Sequence, residues 1–94
     1  MTAPYIGPAS RGPWDDTPAR LCAELRARPD GWTEKDVDRI CYALAYYQTG
    51  DAAIGGVTVN GVAGHAWMQV DADQAHLSVY GDFGARLYRV SVSR

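Results

Sequence analysis

Side chains able to do chemistry are sparse in this chain. It holds two cysteines, Cys22 and Cys41, two histidines, His65 and His76, and short acidic clusters at Asp15-Asp16 and Asp71-Ala72-Asp73. Thiolates and imidazoles are nucleophiles and bases, and together with carboxylates they ligate metals, but only in tight groups. If Val70 opposes Ala75 across a hairpin, His76 stands opposite Gln69, four residues along the strand from His65. At about 3.3 Å per residue the two imidazoles are then roughly 13 Å apart, too far to share an ion. No metal or other cofactor is expected. The acidic clusters are spaced as capping and turn residues, and a calcium loop needs more oxygen ligands at closer spacing. The glycines build no phosphate loop. Gly55-Gly56 opens a strand instead of a helix, and Gly81-Asp82-Phe83-Gly84 is a turn with neither a P-loop lysine nor a following helix.

The run Gly64-His65-Ala66-Trp67-Met68-Gln69-Val70-Asp71 resembles the histidine strand of transglutaminase-like cysteine enzymes, over eight contiguous residues. That resemblance implies a cysteine near a helix start, a histidine-alanine-tryptophan strand and a later aspartate. Cys41, His65 and Asp82 occur here in that order, and as nucleophile, base and orienting carboxylate they would serve acyl transfer or hydrolysis. The placement of Cys41 argues against this alternative. It falls two turns into its helix, away from the positive end that would lower its pKa, and shares an apolar stripe with Val37, Ile40 and Leu44. The residues therefore favour binding over catalysis.

The elements that position these residues read clearly. Residues 1–16 carry Pro4, Pro8 and Pro13 with Gly7 and Gly12, which predicts an extended arm anchored through Tyr5, Ile6 and Trp14. Residues 17–94 form one α+β domain. The first helix starts at Asp16-Thr17-Pro18, with Thr17 as cap and Pro18 in the first turn, and buries Leu21, Cys22 and Leu25 before Pro29-Asp30-Gly31. In the second, Thr33 caps, Asp36 is the capping-box partner and Trp32 staples to Val37. Val37, Ile40, Cys41, Leu44 and Ala45 recur at helical spacing, Tyr42, Tyr46 and Tyr47 flank them half-buried, and Gly50 closes the helix. After Ile54 the period falls to two. Asn60-Gly61, Asp71-Ala72-Asp73 and Gly81-Asp82-Phe83-Gly84 then divide four strands, the last three being Val62–Val70, Gln74–Tyr80 and Arg86–Val92. Short turns force antiparallel neighbours, so the expected fold is two N-terminal helices on one face of a four-stranded antiparallel β-meander.

Alternation sorts this sheet into two faces. Val57, Val59, Val62, Ala66, Met68, Val70, Ala75, Leu77, Val79, Tyr88 and Val90 face the helices. His65, Trp67, Gln69, His76, Ser78, Tyr80, Leu87 and Arg89 face away. A wet sheet face is ordinarily charged or threonine-rich. This one offers Trp, Tyr and Arg, the residue types that dominate binding energy where proteins meet. His65, Trp67, Gln69, His76, Ser78, Tyr80 and Arg89 are the candidate binding residues, for another protein or for a second copy in a homodimer. Alternatively the arm folds over this face and seals Trp67 into a second small core.

Composition bounds the rest. Ninety-four residues suffice for one domain, and a net charge of −2 with no clustered arginines excludes a nucleic-acid binder. No apolar run reaches membrane-spanning length. Two cysteines are few for a small secreted domain, so they read as reduced, buried side chains of a cytoplasmic protein. Lys35 is the only lysine, and abundant Ala, Gly, Val and Asp suggest a GC-rich genome, an actinobacterium or one of its phages.

Overall fold

The structure, a computed structural model, describes residues 16–46 and 51–93. The arm with its anchors Tyr5, Ile6 and Trp14, together with Tyr47 and Gly50, lies outside these residues. Two helices, α1 (Thr17–Ala27) and α2 (Glu34–Leu44), precede strands β1 (Ala52–Val59), β2 (Val62–Val70), β3 (Gln74–Tyr80) and β4 (Arg86–Ser93). The strands form one antiparallel sheet in the order β1-β2-β3-β4, the expected meander.

Local chemistry explains most boundaries. Thr33 takes extended backbone at the head of α2, and its side chain accepts from the Asp36 N–H at 3.2 Å. The Asp36 carboxylate does not reach back to Thr33. It accepts from Arg39 at 3.0 Å and from the backbone N–H of Thr58 in β1 at 3.1 Å, so a capping-box position has become a helix-to-sheet clamp. At α1 the expected cap is displaced by one residue. Asp16 occupies the N-cap, while Thr17 lies inside the helix with its hydroxyl buried and unpartnered among the described residues. Asn60 (φ 53°) and Gly61 (φ 79°) form the two-residue hairpin that their types demand.

The core lies between the helices and one sheet face. Leu21, Leu25, Ile40, Leu44, Met68, Leu77 and Val79 are completely buried there. Helix α1 packs mainly against β4 and α2 and less against β3, whereas α2 reaches the sheet at β1. The β2–β3 register pairs Val70 with Ala75, Met68 with Leu77 and Ala66 with Val79, as alternation requires. Trp32 is also buried and meets Tyr88 edge-on, with ring centroids 5.3 Å apart. Gly64 has no substitute here: a Cβ on it would lie 2.9 Å from both the Tyr80 carbonyl oxygen and Val79 Cγ1.

Further expectations are corrected. Cys22 and Cys41 are not reduced thiols but a disulfide joining α1 to α2. Their helical stripes face each other and bring the Cα atoms to 5.3 Å, inside the distance a bridge needs. Leu87 leaves the outer face. Val79 pairs with Tyr88 but Tyr80 pairs with Arg86, so Leu87 is the extra residue of a bulge and turns toward the core, while Arg89 keeps its place. Tyr42 and Tyr46 are exposed rather than half-buried, and stack edge-on against each other with hydroxyls 3.0 Å apart. Among the described residues no helix is long and apolar enough to cross a membrane.

Candidate protein-binding face

Register places all seven candidate residues on the face opposite the helices, in three rows running across the strands. His65 stands beside Tyr80 and then Arg86; Trp67 beside Ser78 and then Arg89; Gln69 beside His76 and then Ser91. The middle row is the most informative. Ser78 is 0% exposed although no helix covers this side. Among the described residues its neighbours supply cover, with Arg89 Nε donating to Ser78 Oγ at 2.9 Å and Trp67 directly opposite. Arg89 Nη2 also donates to Gln69 Oε1 at 3.2 Å and to the Tyr80 hydroxyl at 3.3 Å. The guanidinium is thus oriented by three neutral acceptors, with no carboxylate partner among the described residues. Held this way, its charge is turned outward with little rotamer freedom left to lose on binding.

Trp67 is 39% exposed. The arm that was expected as a possible cover for it lies outside the described residues. A shallow recess of about 380 Å³ beside the indole is lined by Ala63, Gly64, His65, Trp67, Tyr80, Gly81 and Asp82. A second, of about 400 Å³, adjoins it at Ala63, Gly64 and His65 and extends to Asp36 and Arg39.

The third row contains a relay that alternation alone did not mark. His76 Nδ1 lies 2.7 Å from Ser91 Oγ, and Nε2 lies 3.2 Å from Asp71 Oδ2. Hydroxyl, imidazole and carboxylate stand in the order used by serine nucleophiles. Here Asp71 also accepts from the backbone N–H groups of Gln74 at 2.7 Å and Asp73 at 3.0 Å. These two amides, then His76, hold its carboxyl below the usual carboxylate range. Asp71 is the organising residue of the β2–β3 turn, and through His76 it ties that turn to β4.

The alternative set of Cys41, His65 and Asp82 is not brought together. Cys41 is disulfide-bonded and sits in the core on the helix side, whereas His65 is exposed on the other face. His65 and Asp82 do share a recess, but no thiol reaches it. Among the described residues there is no cluster of three or more His, Cys, Asp or Glu able to hold a metal ion.

No protein-family model, curated protein or solved structure matches this chain. Its own geometry carries the functional argument.

Sequence reasoning missed Phe83. This single phenylalanine sits at the tip of the β3–β4 turn, fully exposed, with φ 62°. The left-handed region costs a non-glycine residue about 1–2 kcal/mol, and the solvated ring forfeits roughly 1.5–3 kcal/mol of burial. The signal was present in the sequence. Gly-Asp-Phe-Gly places an aromatic among turn residues, where polar types are the rule.

Proposed function

We propose that this chain is a non-catalytic protein–protein interaction module that docks through the outer face of its sheet. The observation that carries the reading is Trp67: an indole 39% exposed at the centre of a face the helices do not cover. Beside it Arg89 is pre-oriented over buried Ser78. Trp, Tyr and Arg together make the kind of patch in which a few anchors supply most of the binding energy.

Acting as an accessory protein of an actinobacterial phage on a host protein would suit the size and composition. The cytoplasmic location expected from the cysteine count is a setting in which Cys22 and Cys41 would be thiols. Their disulfide favours an oxidising compartment instead.

The test uses the immobilised protein to capture a partner from lysate of the cells that make it. Trp67→Ala and Tyr80→Ala are expected to keep the melting temperature of the parent and lose the captured protein. Retention of the same partner by both variants removes the outer face as the docking surface.

A further inference from the structure

The end of the sheet at the β3–β4 turn offers both halves of a contact. Phe83 projects into solvent at the tip, and the recess holding His65, Trp67, Tyr80 and Asp82 lies immediately beside it. We propose that the partner on this surface is a second copy of the same chain, related by a two-fold axis, with Phe83 of each copy entering the recess of the other. This rests on reading the outer face as a protein-binding surface and names what covers it.

Shape is the first argument. A projecting aromatic and an aromatic-lined hollow adjacent on one surface are self-complementary, the requirement for an isologous dimer. The shallow recess, about 380 Å³ and open on its outer side, offers a seat for a benzyl side chain against Trp67 and Tyr80. Conformation is the second. A phenylalanine held at φ 62° gains nothing within its own fold, since its ring touches solvent only. Strain of this type persists where a function retains it. Charge is the third. Asp82 and Arg86 are both exposed at this end, Arg86 beside Tyr80 on the outer face, and neither has an ion-pair partner among the described residues. A two-fold axis through the turn sets each Asp82 against the Arg86 of the opposite copy. A lipid surface fits less well, because Asp82 adjoins the inserting ring and anionic headgroups would repel it.

Sedimentation equilibrium of the full chain, from low micromolar to roughly 0.5 mM, measures the association. The parent protein is expected to dimerise. Phe83→Gly, which accepts the positive φ without strain, is expected to weaken the dimer at least about tenfold while keeping the thermal melt of the parent at concentrations where both are monomeric. Asp82→Arg and Arg86→Asp are each expected to weaken it, and the double exchange to restore it. A chain monomeric throughout this range overturns the proposal, as does a dimer indifferent to Phe83→Gly and to the charge exchange. A photo-crosslinking amino acid at position 63, exposed on the rim of the recess, separates this proposal from the one it rests on. Adducts of twice the chain mass support the second copy. Adducts of any other mass overturn it and leave docking standing, and the absence of adducts overturns both.

Discussion

At the scale of single residues, Tyr88 shows how one side chain serves two surfaces. Its ring packs against Trp32 on the core side, and its hydroxyl donates to the Arg28 carbonyl oxygen at 2.5 Å, closing the end of α1 onto β4. Burial, and then the nearby Asp30 carboxylate, push the phenol up to about 12. The neutral form is thus favoured in the folded state, and the stability this brings is complete below the unfolded value near 10. It is lost as the pH rises from there through about 12. Tyr88→Phe is expected to cost about 1 kcal/mol at neutral pH through the lost hydrogen bond. It should also flatten the alkaline limb of the stability curve. Urea melts of both proteins between pH 8 and 12 measure this; parallel alkaline limbs would refute the buried-phenol account.

At the scale of elements, the β1 edge of the sheet is held by a helix. The edge of β1 is occupied by α2, where Asp36 accepts the Thr58 N–H and Arg39 donates to the Gly56 carbonyl oxygen. Arg39, the Thr58 amide and Lys35 hold the Asp36 carboxyl below its ordinary range, Arg39 contributing most. Asp36→Ala is expected to lose about 1–2 kcal/mol and to bare backbone donors that invite strand pairing between molecules. Chemical denaturation and light scattering measure the two effects, and an unchanged midpoint would show that the clamp contributes nothing. The helices are joined by their own device, the Cys22–Cys41 bridge across a sequence separation of 19. Closing a loop of this length is worth about 3 kcal/mol, largely by restricting the unfolded chain. Thermal melts with and without a phosphine reductant should differ accordingly. Equal melting temperatures, with both thiols shown to be free, would show that the bridge contributes nothing to stability.

At the scale of the whole molecule, the described residues form a two-layer arrangement whose helices pack on one face of the sheet and not on the other. Every proposal about function follows from that asymmetry. Helix stripes and strand alternation agree on the same core, so one consistent set of apolar residues specifies a single packing. Among the described residues no helix packs on the outer face. It carries side chains such as Trp67 and Arg89 that a purely structural surface would replace with smaller or less oriented groups.

The amino-acid sequence by itself determined the elements and the register between β2 and β3. Thr33, Asn60-Gly61 and the period-two strands act through neighbours a few residues away, and such signals are legible along the chain. For the same reason His65, Trp67, Gln69, His76, Ser78, Tyr80 and Arg89 could be assigned to one face before any coordinates. Only the tertiary structure decided the Cys22–Cys41 pairing, the bulge that turns Leu87 inward, the Asp71–His76–Ser91 relay and the exposure of Trp67 and Phe83. Each depends on distances between segments remote in sequence or on what does not cover a surface, and neither quantity is encoded in local spacing.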